Sequence, residues 1–196
     1  MDKQTEEILQ KIEEAEYVLV GLAQEFDMEF FLQSREDYRR IREQLQQQNV
    51  LWLLPYVEEH FRRQYLPEME AEIEKGLQKL AKVLEKKSYF VVSSSLNHKL
   101  AEVPWKKMLL KKERFVAPCG DWTKKQCPDG CEEGIQTVTE ADEEQLQESF
   151  KKLQTNGFSV PDLGKCPKCG KKLVLNNVYA GRYDEKGYLK TWTEYL

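Results

Sequence analysis

Histidine is the scarcest reactive side chain in the 196 residues, present only as His60 and His98. That scarcity excludes a di-iron helical bundle, which needs Glu-x-x-His on two helices, whereas the residue three before His60 is Val57. Nor do His98 and Cys119 make a nucleophile and base pair, since nothing in the chain supplies a third orienting group or a nucleophile motif. The ten glycines are scattered and build no phosphate-binding loop. No apolar run approaches the roughly 20 residues that span a bilayer as a helix. The opening Met1-Asp2-Lys3-Gln4-Thr5-Glu6-Glu7 is too acidic for a signal or transit peptide, so a soluble cytoplasmic protein without membrane contact is expected. There is no internal repeat, and the only low-complexity tract is Gln46-Gln47-Gln48.

Charge and apolar residues are what the chain has in quantity. Charged residues make up 33% and apolar ones 40%, enough for a modest core and against wholesale disorder. The net charge of -4 hides a segmental pattern. Residues 1–98 carry 13 basic against 19 acidic side chains, and residues 132–163 carry 2 against 8. Residues 99–118 carry 6 against 2, and residues 164–196 carry 7 against 3. An acidic total is therefore compatible with a basic face on the C-terminal part.

Periodicity predicts an α+β chain: an N-terminal antiparallel helical bundle over residues 1–88, a connecting segment 89–114, and a small β module over 115–196 with an inserted helix. Ile8, Ile12, Ala15, Leu19, Leu22, Phe26 and Phe30 step by three or four, which predicts one long helix from Glu6 to Phe31. Ser34 followed by Asp37 is a capping-box pattern for a second helix running to about Gln48, with Asn49 ending it. Leu51 to Leu54 is an apolar cluster before Pro55, a residue suited to a helix start. Leu66, Met69, Ile73, Leu77, Leu80 and Leu84 predict a third helix over 67–87 that packs on the first. Glu58, Glu59 and His60 read as a solvated helix face.

Beyond Ser88 the pattern turns β-like. Tyr89-Phe90-Val91-Val92 and Arg114-Phe115-Val116-Ala117 predict short strands, with a short helix between Asn97 and Lys112. Thr139 with Asp142 is a second capping box, and Asn156-Gly157 is a stop, so an acidic helix should fill 139–156. Residues 172–180 and 188–195, joined by Asp184-Glu185-Lys186-Gly187, predict a closing hairpin.

Five cysteines form an odd set with paired local spacing, which fits thiolates held by a metal in a reducing compartment better than disulfides. Cys127-Pro-Asp-Gly-Cys131 and Cys166-Pro-Lys-Cys169-Gly each place two sulfurs on one tight turn, the arrangement that grips Zn2+ at about 2.3 Å per sulfur. The run Lys165-Cys166-Pro167-Lys168-Cys169-Gly170-Lys171-Lys172-Leu173 resembles the zinc knuckle of zinc-ribbon proteins, a resemblance confined to about residues 115–196. The first clip departs from that pattern by having three intervening residues, and Cys119 can replace Cys127 or Cys131 as ligand. Four thiolates leave no open coordination position, so the expected metal, Zn2+, is structural, with iron using the same sulfurs as the chemical alternative. A redox dithiol at Cys166 and Cys169 lacks the βαβ context it needs.

Two roles follow. A helical half joined to a rigid ribbon displays surfaces without an active site, so a non-enzymatic interaction or adaptor protein with a protein partner is expected, and the first helix can also pair with its own copy to give a homodimer. The alternative is nucleic-acid binding. Lys106, Lys107, Lys111, Lys112, Arg114, Lys165, Lys168, Lys171, Lys172, Arg182, Lys186 and Lys190 are interleaved with Trp105, Trp122, Tyr179, Tyr183, Tyr188 and Trp192, a pattern that can neutralise phosphates and stack on bases.

Overall fold

The computed structural model describes residues 3–23, 26, 29–97, 100 and 114–180. Helix α1 (Lys3–Glu14) leads into strand β1 (Tyr17–Leu22), followed by α2 (Glu29–Leu32), α3 (Glu36–Gln47), α4 (Leu54–Tyr65) and α5 (Pro67–Leu84). Strands β2 (Ser88–Ser93), β3 (Phe115–Val116), β4 (Gly120–Gln126) and β5 (Gln136–Thr137) come next, then α6 (Glu140–Gln154) and β6 (Val174–Asn177). Short 3-10 turns cover Leu51–Leu53, Glu132–Gly134 and Val178–Ala180. The chain is thus a mixture of helix and sheet, as expected.

The predicted helix over 6–31 is interrupted. It ends at Glu14, and Tyr17–Leu22 instead pairs in parallel with β2, from Tyr17 opposite Ser88 to Leu22 opposite Ser93. Tyr-Val-Leu-Val is a β-favouring run, and its alternation decides the outcome. Val18, Val20 and Leu22 face the core, whereas Leu19, a member of the apparent helical stripe, is 65% exposed. The partner strand lies some seventy residues away, so no local signal announced it.

Strand order β1-β2-β3 makes a parallel sheet. One face of it packs under α1 and α5, with Ile12, Ile73, Leu77, Leu80 and Leu84 against Val18, Val20, Tyr89, Val91 and Phe115. A second sheet, β5-β4-β6, is antiparallel. It shares a core with the helices of the N-terminal half: Tyr38, Ile41 and Leu45 of α3 and Leu54, Val57 and Phe61 of α4 join Trp122, Leu146, Phe150, Leu153 and Leu175 in one buried cluster. Polar ties cross the same boundary, for the Asn177 amide donates to the Trp52 carbonyl at 2.9 Å and Gln44 donates to the Gly157 carbonyl at 3.3 Å.

Several ends obey local chemistry. Asn49 and Asn156 adopt left-handed φ of 57° and 61° and stop α3 and α6. Thr139 and Asp142 form the reciprocal capping box in front of α6. At α3 the expected cap is displaced: Arg35 occupies the cap position, the Ser34 hydroxyl donates back to the Phe31 carbonyl, and Asp37 accepts from Arg35 and Tyr65. Helix α4 is buried nearly all round. Glu58 accepts from the Tyr38 hydroxyl at 2.6 Å, and Glu59, 0% exposed, pairs with Arg62 at 2.7 Å, so these acids are interior and not the solvated face expected of them.

Strand β6 supplies the first arm of the predicted hairpin, paired here with β4. Its predicted second arm over 188–195 and the predicted helix between Asn97 and Lys112 lie outside the described residues.

Candidate metal centre

Strand β4 delivers Cys127 at its end. Pro128 fixes the next φ, and the Gly130 N–H closes a turn onto the Cys127 carbonyl at 2.9 Å, with φ of 73° at Gly130. Chain direction then reverses through Cys131, whose carbonyl accepts from Gly134 N–H at 2.9 Å. Gly134 is there for space: a Cβ added to it would lie 2.5 Å from the Cys127 Cβ. The second clip is a small loop whose base is the bridge between Lys165 and Lys172. Within it the Cys166 N–H donates to the Lys171 carbonyl at 2.8 Å, and Gly170 N–H, at φ of 73°, donates to the Cys166 carbonyl at 2.9 Å.

These two turns bring Cys127, Cys131, Cys166 and Cys169 together, with all four sulfurs within 4.8 Å of one another and Cys127 and Cys169 at 3.4 Å. A tetrahedral ion with sulfur ligands at 2.3 Å needs sulfur separations of about 3.8 Å, between those two values. Cys127 and Cys166 are 0% and 2% exposed and belong to the same core as α3 and α4, while Cys131 is half-buried and Cys169 is exposed. Cys119 stands outside the cluster, in the turn before β4, where its carbonyl accepts from Val178 N–H at 2.9 Å.

The electrostatics of the cluster match a cation. Burial would raise the Cys127 thiol, but the backbone N–H groups of Cys131 and Asp129 and the neighbouring thiols bring it down to about 7. Burial and the adjacent thiols push Cys131 up to about 12. At Cys169 the Lys171 N–H favours ionisation, yet the Cys127 thiol and burial outweigh it and the value is raised. One thiolate thus forbids the next, the behaviour of like charges sharing a site. A divalent ion removes that repulsion and lets all four sulfurs ionise, so the residues present fit a metal. The metal would be held by those four side chains and would supply cross-linking of the two clips.

Two of the cations around the clips are paired with acids. Lys171 pairs with Asp129 at 2.7 Å and Lys168 with Glu133 at 3.4 Å. Lys125, buried, places its ammonium on both oxygens of Asp142 and on the Leu163 carbonyl at 2.8–2.9 Å, tying β4 to the start of α6 and to the segment leading into the second clip. Sequence reasoning flagged Asp142 as a cap but not as this partner, because nothing local links residues 17 apart. Among the expected base-stacking aromatics, Trp122 is buried and Tyr179 is exposed, whereas Trp105, Tyr183, Tyr188 and Trp192 lie outside the described residues. Among the described residues no helix is long and apolar enough to cross a membrane.

Compared with known proteins, the chain matches no family model and no curated protein. What it does lies in its own residues.

Proposed function

We propose that this chain is a zinc-containing interaction protein without catalytic activity, in which a structural Zn2+ on Cys127, Cys131, Cys166 and Cys169 fixes a zinc-ribbon-like module. The observation that carries this reading is the convergence of four thiols from two glycine-closed turns, within 4.8 Å. Four sulfur ligands saturate zinc, which leaves folding as its task. Because Cys127 and Cys166 sit in the core shared with α3 and α4, the ion also stabilises the seating of those helices.

The interaction half of the proposal draws on exposed apolar side chains. Tyr17 and Leu19 stand out from the edge strand β1, and Phe30 and Phe31 form an edge-to-face pair on α2 with Phe30 81% exposed. Apolar surface of this kind costs solubility unless a protein covers it. A second copy of the chain is one such partner. Nucleic-acid binding is the weaker reading, since Lys168 and Lys171 of the second clip pair with Glu133 and Asp129 and Trp122 is buried.

Native mass spectrometry should show one zinc per chain. Leu19→Ser with Phe30→Ser should reduce recovery of a defined co-purifying protein, or the dimer fraction in sedimentation, with zinc content unchanged. A salt-sensitive oligonucleotide complex, unaffected by those substitutions, would favour the nucleic-acid role instead.

A further inference from the structure

The four clustered sulfurs are not equally reachable. Cys127 and Cys166 are 0% and 2% exposed, Cys131 is half-buried, and Cys169 is exposed. A small oxidant arriving from water therefore meets Cys169 first, since susceptibility follows access as well as thiolate character.

A thiol next to it belongs to the other clip. Cys127 Sγ lies 3.4 Å from Cys169 Sγ, across 42 residues of chain, so a small approach converts that contact into a bond. The two sulfurs also sit on opposite sides of the event. Oxygen is added to Cys169 on its solvent side, while Cys127 waits on the buried side, which leaves the outward path open to a departing hydroxide. Cys119 stands outside the cluster.

We propose that Cys169 is a modification site for hydroperoxides and Cys127 its resolving thiol, so that oxidation exchanges the metal cross-link of the two clips for a covalent one. This rests on the four-thiol centre proposed above. The Cys169 sulfur attacks one peroxide oxygen, the O–O bond breaks, the other oxygen leaves as hydroxide, and Cys169 becomes a sulfenic acid. The Cys127 sulfur then attacks the Cys169 sulfur, and the S–S bond forms as the S–O bond breaks and a second hydroxide leaves. With hydrogen peroxide the two thiolates together lose two electrons, and the peroxide, taking two protons from solvent, becomes two waters. Only Cys131 and Cys166 then remain as ligands, half of a closed site, and the ion is released. A thiol reductant reverses the exchange. The new bond joins the end of β4 to the clip that leads into β6, so the antiparallel sheet stays assembled without its metal.

The test uses the full chain carrying Cys119→Ser, which removes the thiol outside the cluster. Native mass spectrometry first reads the zinc. Zinc-free starting material contradicts the zinc reading, and the disulfide map still decides the pairing. One equivalent of hydrogen peroxide per chain should release the zinc to a chromogenic chelator and lower the protein mass by two hydrogens. Cleavage after Lys168 and before Asp129 separates the two thiols of each clip, so the map should show Cys127 joined to Cys169, with Cys131 and Cys166 open to alkylation. The β signal in circular dichroism should persist, unlike after chelation, and dithiothreitol with zinc should restore the starting mass. Zinc retained under a large excess of peroxide, a disulfide within either clip, sulfinic acid at Cys169 in place of a disulfide, or loss of the β signal overturns the proposal.

Discussion

Lys125 and Asp142 form an ion pair at 2.8 Å with both side chains more than nine-tenths buried, and through it the cap of α6 and the strand that ends in Cys127 share one charge centre. Breaking a buried pair by removing one partner typically costs about 3–5 kcal/mol, because the survivor keeps its charge in the interior. Lys125→Met should therefore destabilise the protein by about 3 kcal/mol in denaturant titrations. The double variant Lys125→Met with Asp142→Leu should lose less than the two single losses added together, since it leaves no orphaned charge.

His60 gives a pH dependence of known sign. Its folded-state pKa is lowered, chiefly by burial between Tyr56 and Phe150. The unfolded chain consequently binds more protons below about pH 6.5, and the His60 contribution is complete above that value and lost as pH falls. Relative to His60→Gln, the wild-type stability should decline more steeply between about pH 6.5 and 5, measured as a difference in unfolding midpoints. A parallel pair of curves would contradict it.

Leu19 and Val20 separate strand from helix at the N-terminus. As part of a helical stripe Leu19 would be core, but in β1 it points outward while Val20 packs inward. Leu19→Lys should change stability by no more than about 0.5 kcal/mol. Val20→Lys should cost several times that by burying an ammonium against α5. Thermal melts of the two variants decide the matter, and the reverse ranking would restore the helix.

Gly134 tests the geometry of the first clip. An Ala there would have its Cβ 2.5 Å from the Cys127 Cβ and 2.9 Å from its amide nitrogen, so the clip must shift. Gly134→Ala should lower stability by about 1–3 kcal/mol, the usual cost of overpacking, and weaken metal retention in a chelator competition.

The parts legible in the sequence were those whose determinants are neighbours. Each cysteine clip is a turn closed within five residues by Gly130 or Gly170, and the Thr139 box needs only Asp142, so pattern and structure agree. Ser34 failed as a cap because Asp37 is claimed by Arg35 and by Tyr65, which is 28 residues away. Strand β1 was hidden because the outward Leu19 and the inward Leu22 both fall on a spacing of three and four that continues from α1, and because its partner is the distant β2. Glu58 and Glu59 looked solvated because charge alone cannot reveal Tyr38 and Arg62 waiting in the interior.

Metal stoichiometry across a cysteine series addresses the proposed zinc centre itself. Native mass spectrometry of the full chain should give one zinc, lost or greatly weakened in Cys→Ser variants at 127, 131, 166 and 169 and kept in Cys119→Ser, with chelation unfolding the β4 and β6 region by circular dichroism. Metal-free protein that is equally folded after chelation, or loss of zinc in Cys119→Ser with retention in the other four, would contradict the four-thiol centre.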